Sequence, residues 1–106
     1  MRRDVFQAIA DPTRRRIIAL LAPQAMTPNT LARHFDFSRQ AISKHLRILA
    51  ECDVLTLELR GREIFYHLKA DRMKEIDEWL RQFRSLRVDR FSQPDHRLTK
   101  NETGDI

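Results

Sequence analysis

The sequence predicts a mainly α fold with one small β-hairpin, four helices standing before the hairpin and one after it. Three observations carry that prediction. Apolar residues recur at helical spacing through the first half of the chain and again from Met73, whereas a period of two appears only between Val54 and Leu68. Helix-opening signals stand ahead of three of the helical stretches: Asp11-Pro12, Thr27-Pro28 and Ser38. Gly61, one of two glycines in the chain, interrupts the alternating stretch where a hairpin has to turn.

Val5, Phe6 and Ile9 lie at helical spacing and mark the first helix. The second begins at Pro12, carries Ile17, Ile18, Leu20 and Leu21, and ends near Pro23, because proline cannot continue the hydrogen-bond ladder. Pro23 to Met26 reads as a loop. Thr27 caps a short third helix with Leu31, Ala32 and Phe35 on its apolar face, and Ser38 caps a fourth in which Ala41, Ile42, His45, Leu46 and Leu49 follow the i, i+3, i+4 pattern until about Cys52-Asp53. Leu55, Leu57 and Leu59 then alternate with Thr56, Glu58 and Arg60, and Ile64 to Leu68 return as the second strand. Asp71 is expected to cap a long last helix whose Met73, Ile76, Trp79, Leu80, Phe83 and Leu86 form an apolar face broad enough to want a partner. From Ser92 the chain is polar and aperiodic, so residues 1–91 are expected to form one domain and 92–106 a mobile tail.

At 106 residues a single fold has to carry the function. A formal charge of +5, mostly from arginine, favours a polyanionic partner, although charge alone fits a solvated surface as well. Position decides. A short helix, a tight connection and a second helix with a polar first turn is the layout of a helix-turn-helix, spanning about Thr27 to Cys52, in which the second helix enters the major groove of double-stranded DNA and the first braces it. With Ile42, Leu46 and Leu49 inward, the fourth helix turns Arg39, Gln40, Ser43, Lys44 and Arg47 outward.

Arg39 can bond guanine O6 and N7 with its two prongs, and Gln40 can pair with adenine N6 and N7, so these two are the expected base readers. Ser43 and Lys44, one turn on, reach either a base edge or a phosphate. Thr27, Asn29, Ser38 and His45 are assigned to the DNA backbone, with a packed role for His45 left open. The hairpin, tipped by Arg60 and Arg62, makes a basic wing suited to phosphate or the minor groove.

Three segments together resemble a known family: Ala10-Asp11-Pro12-Thr13-Arg14-Arg15, then Ser38-Arg39-Gln40-Ala41-Ile42-Ser43-Lys44-His45-Leu46 with Leu49, then Gly61-Arg62-Glu63 followed by Tyr66 and Leu68. Over about Val5 to Arg90 the chain is similar to the winged helix-turn-helix repressors of the ArsR/SmtB type, most of all those without the metal-sensing cysteines. The resemblance implies a homodimer built from the first and last helices, here Val5, Phe6 and Ile9 with Ile76, Trp79, Leu80 and Phe83, and a pseudo-palindromic operator with half-sites ~34 to 36 Å apart. Repression is the expected outcome, with activation left open.

Several functions are set aside on composition. Metal-sensing relatives carry paired cysteines in the helix matching Thr27 to Phe35, or Asp/His and His/Glu sets along the last helix, and this chain has neither, so no metal or cofactor is expected. Cys52 is alone, which excludes an intrachain disulfide. Arg14, Arg15 and Arg16 point three ways on a helix and read mostly as solvated, with Arg14 bracing the fold. Trp79 and Phe83 read as core rather than a ligand pocket. With no glycine-rich phosphate loop or nucleophile motif the chain is not expected to be an enzyme. The start of the sequence resembles no signal peptide and the apolar runs are far below the ~20 residues of a membrane span, so a cytoplasmic location is expected. The alternative reading is a winged helix used as a protein-interaction module.

Overall fold

The computed structural model describes residues 3–86, which form two compact units, one ending at Ile76 and the other beginning at Asp77. The expected tail of 92–106, and the last residues of the expected 1–91 domain, lie outside the described residues. In the first unit, α1 (Val5–Ala8), α2 (Pro12–Leu21), α3 (Pro28–Ala32) and α4 (Arg39–Glu51) precede β1 (Leu55–Arg60) and β2 (Glu63–Leu68). A 3-10 turn (Ala70–Arg72) leads into α5 (Met73–Arg81), whose residues from Asp77 belong to the second unit. This is a mainly helical winged helix-turn-helix with a two-stranded antiparallel hairpin, as the patterning predicts.

Local chemistry explains where the first four helices start. Asp4, Asp11, Thr27 and Ser38 each accept a hydrogen bond from the amide three residues on, at 3.0 to 3.2 Å, satisfying an N–H that has no carbonyl within the helix. Pro12 and Pro28 follow their caps at the first helical position, where a missing N–H costs nothing. The end of α4 is equally explicit. Asp53 N–H donates to the Ala50 carbonyl at 3.0 Å and Val54 N–H to the Leu49 carbonyl at 3.3 Å, which is the Schellman pattern. That pattern needs a left-handed residue, and Asp53 supplies it with φ 62°. Its carboxylate is held by Lys69 Nζ at 2.9 Å and by Arg72, contacts that pull its pKa below the usual carboxylate range.

In the hairpin, Leu55 pairs with Leu68, Leu57 with Tyr66 and Leu59 with Ile64, so those six share one face. Gly61, at φ +62°, opens the two-residue turn in the way a type II′ hairpin requires. The segment read as a loop contributes one more piece of sheet. Met26 N–H donates to the Tyr66 carbonyl at 3.2 Å and Tyr66 N–H to the Met26 carbonyl at 2.9 Å, fastening the start of α3 to β2. Ile17 and Leu21 of α2, Leu31 of α3, Ile42, Leu46 and Leu49 of α4, and Leu55 of β1 share one core with Val5 and Ala8. Each fully buried aliphatic side chain contributes roughly 1.5–3 kcal/mol.

Two expectations are corrected, and a third is filled in. Asp71 does not cap α5; it lies inside the 3-10 turn, and the helix proper starts at Met73. Val5, at 2 % exposure, is consumed by the protomer's own core and has no surface left for a dimer contact. Arg14, Arg15 and Arg16 point three ways as expected, with Arg15 and Arg16 exposed and Arg14 bracing the fold, and each also reaches a carbonyl. Arg14 donates to the carbonyls of Ala8 (3.1 Å) and Gln7 (3.0 Å), and Arg15 to that of Ile9 (2.6 Å), all at the end of α1. Arg16 donates to the His34 carbonyl at 2.7 Å and lies over the Phe35 ring beyond α3. Cations at carbonyl-rich helix ends are favoured by both hydrogen bonding and the helix dipole.

In the second unit, Trp79 and Phe83 meet edge to face with ring centroids 5.0 Å apart, and Asp77 accepts from Arg84 at 2.8 Å. Trp79, Leu80, Phe83 and Leu86 are all exposed in the protomer. The helical ladder tightens after Arg81, where Phe83 N–H reaches the Leu80 carbonyl.

Arg14→Ala removes both guanidinium bonds that tie α1 to α2, and is expected to lower the unfolding free energy by about 1 to 3 kcal/mol. Urea denaturation should show a lower midpoint at unchanged slope. An unmoved midpoint would mean that the remaining contacts, the apolar core and the Arg15 bond to the Ile9 carbonyl, suffice to hold α1.

Candidate nucleic-acid interface

Because Ile42, Leu46 and Leu49 are buried, the opposite side of α4 has to face out. Arg39, Gln40, Ser43, Lys44 and Arg47 are all exposed there and line a depression of about 300 Å³. Arg39, Ser43 and Arg47 repeat at i, i+4 and i+8, which stacks them along one stripe. Arg47, outward-facing by pattern and not among the expected base readers, joins them, and its spacing is the signal that finds it.

A second depression, of about 240 Å³, adjoins the first through Arg39 and Ser43. Its other walls are Thr27, Pro28 and Asn29 at the start of α3 and Arg62, Glu63, Ile64 and Tyr66 of the hairpin. The Met26–Tyr66 bridge brings these two walls together. Nothing in the linear pattern announces that bridge, so Tyr66 and Ile64 could not be assigned to the site from spacing.

The sequence-assigned residues part company at several points. Asn29 is exposed on the rim of the second depression. Thr27 borders it but is only 7 % exposed, and its hydroxyl is committed, accepting from Thr30 N–H and donating to Thr30 Oγ1 at 3.1 Å. That hydroxyl is a structural cap, which corrects its assignment to phosphate. Ser38 Oγ is exposed and likewise engaged as a cap. His45 turns towards α2, its Nδ1 4.0 Å from the Asp11 carboxylate, and lines neither depression. Burial pushes Asp11 up, yet the Arg14 amide and guanidinium and His45 together bring it below its ordinary value.

The two wing arginines differ as well. Arg62 borders the second depression. Arg60 donates to Glu58 Oε1 at 3.1 Å and lies over the Phe65 ring, 4.2 Å from its centroid, while His67 Nε2 stands 2.6 Å from the same Glu58 oxygen. The bonds from Arg60 and His67 hold the Glu58 carboxyl down to about 2 from an ordinary 4.5.

Among the described residues no group of three or more His, Cys, Asp or Glu is placed to hold a metal ion. Cys52 is buried, and burial pushes its thiol up, away from the reactive thiolate. No helix among the described residues is long and apolar enough to cross a membrane.

A braced, outward-facing polar helix beside a hairpin wing defines the class of winged helix-turn-helix DNA-binding proteins. Residues 9–58 match the helix-turn-helix domain family. The transcriptional repressor SdpR of Bacillus subtilis is 39% identical over 80 residues, 76% of this chain and 89% of that protein. A crystal structure of a possible transcriptional regulator for arsenical resistance is 35% identical, with a TM-score of 0.69 over 84% of this chain and 95% of that one. The ArsR-like transcriptional regulator from Rhodococcus sp. RHA1 is 31% identical with a TM-score of 0.66, covering 83% of each chain. The chain belongs to the ArsR/SmtB family of winged helix-turn-helix transcriptional regulators. That family is regulatory rather than enzymatic, and DNA binding is implied by it.

Glu58 also yields a pH prediction. Since its folded value is depressed, its stabilising contribution is complete above about 4.5 and is lost as the pH falls towards about 2. Wild type should therefore melt slightly above Glu58→Gln at neutral pH, by the small margin an exposed pair provides, with the gap in Tm narrowing between pH 4.5 and 2. A gap that stays constant through that window would contradict the assigned pairing.

Proposed function

We propose that the chain is a homodimeric transcriptional repressor of the subgroup without metal-sensing cysteines, and that it reads an inverted-repeat operator by placing α4 of each protomer in a major groove. The observation that carries this reading is the exposed stripe of Arg39, Gln40, Ser43, Lys44 and Arg47, continuous with the depression that Arg39 shares with Asn29 and Arg62. Arg39 and Gln40, in the first turn of α4, read base edges; Ser43 and Lys44 reach a base or a phosphate; Asn29 and Arg62 hold phosphate on either side. Repression is favoured because the similar protein SdpR is a repressor. A single, buried Cys52 supports control by something other than a thiolate-bound metal, in a cytoplasmic protein.

A second copy is the partner that suits the exposed apolar residues Phe6, Trp79, Leu80 and Phe83, with Ile9 and Ile76 adding the surface their own core leaves uncovered. Use of the fold as a protein-interaction module fits less well. The centre of a protein interface is depleted in charge, whereas this stripe is built of it.

Selection of bound fragments from random duplex DNA should enrich an inverted repeat. On that operator Arg39→Ala and Gln40→Ala should each reduce affinity by about 1 to 3 kcal/mol and leave binding to random DNA largely intact, while Arg62→Ala weakens both alike. Equal losses on both DNAs for the α4 variants would defeat the base-reading assignment. Leu80→Glu should yield monomers in sedimentation and poor operator binding, because an interface would bury an unpaired charge. A dimer of unchanged mass would reject the interface.

A further inference from the structure

Arg60 and Arg62 flank Gly61 at the wing tip, yet only Arg62 borders the depression next to α4. Register places Glu58 opposite Phe65, and Glu58 and Arg60, two residues apart on β1, project from the same side of the strand. On that side the guanidinium is confined twice, by the carboxylate at 3.1 Å and by the aromatic ring at 4.2 Å. The groups facing this cluster are His67, bonded to the same carboxylate, and Glu63, the cross-strand partner of Arg60. Formally, the two arginines at the wing tip are offset by Glu58 and Glu63.

We propose that Glu58 restrains the wing's affinity for DNA: it holds Arg60 against Phe65 and away from DNA phosphate, so that the wing offers DNA one arginine rather than two. The inference rests on the DNA-binding reading above and adds a restraint to it. A phosphate approaching Arg60 meets a guanidinium whose Nη2 is already bonded to a carboxylate that offsets its charge and repels the incoming anion, and Glu58 stays ionised at any neutral pH. Exposed ion pairs contribute little to stability, so the consequence of this one falls on the availability of its cation. Phosphate contacts carry no sequence information, and withholding one lowers binding to every sequence alike. Discrimination is thereby left to α4.

The test is a double-mutant cycle on the full chain with a short random-sequence duplex, titrated across a salt series. Glu58→Gln should bind the duplex several-fold more tightly than wild type, with the slope of log K against log salt steeper by about 0.9, the signature of one added phosphate contact. Arg60→Ala alone should differ little from wild type, and Glu58→Gln should bring no gain in the Arg60→Ala background. A gain of equal size with and without Arg60 would overturn the inference, since it would reflect only a lost negative charge, and so would the absence of any gain. Wild-type chain that binds no duplex at low salt would overturn the DNA-binding reading and this inference with it.

Discussion

Ile42, Leu46 and Leu49, spaced i, i+4 and i+7 on α4, are completely buried in the core that Ile17 and Leu21 of α2, Leu31 of α3 and Leu55 of β1 also build. A helix gripped along one stripe has no rotational freedom about its axis, so burying these three residues determines which side chains are presented on the far side. Arg39, Gln40, Ser43, Lys44 and Arg47 need make no contact of their own to be aimed. Their direction is a consequence of close packing, where a turn of the helix by one residue would expose leucine and bury arginine.

The aim of α4 becomes a site only through its surroundings, and those depend on two backbone devices. The bridge between Met26 and Tyr66 ties the beginning of α3 to β2, which encloses a depression between Asn29, Arg39 and Arg62. The left-handed Asp53 ends α4 and starts the chain towards β1, while its carboxylate gathers Lys69 and Arg72 from beyond β2. Both ends of the hairpin are thereby anchored to the helical part of the unit. A wing hung from the end of a recognition helix would otherwise be a loose two-stranded ribbon, which is marginal alone in water.

The helices, their caps and the hairpin were legible because each is written in local terms: Asp11-Pro12, Thr27-Pro28, Ser38 and Gly61 act within four residues of themselves. The outward stripe of α4 was legible for the same reason. What could not be read depends on contacts between distant segments. Thr27 looks the same in sequence whether its hydroxyl faces phosphate or Thr30, and Val5 looks the same whether it packs in its own protomer or against another. Asp71 misled because a capping residue is recognised by type, whereas the 3-10 turn around it follows from how the chain leaves β2.

Charge shows the same limit in its sharpest form. A net charge of +5 suggests a surface freely available to a polyanion, yet many of the cations are already engaged. Arg14 and Arg15 are bound to the carbonyls ending α1, Arg16 to that of His34, Arg72 to Asp53 and Arg60 to Glu58. The cations that border the two depressions are Arg39, Lys44, Arg47 and Arg62. A phosphate bonds best to an arginine whose guanidinium donors are not already shared with a carboxylate or a helix-end carbonyl. The electrostatic footprint proposed for DNA therefore depends, among the described residues, less on how many arginines there are than on which of them the fold has left without an internal acceptor.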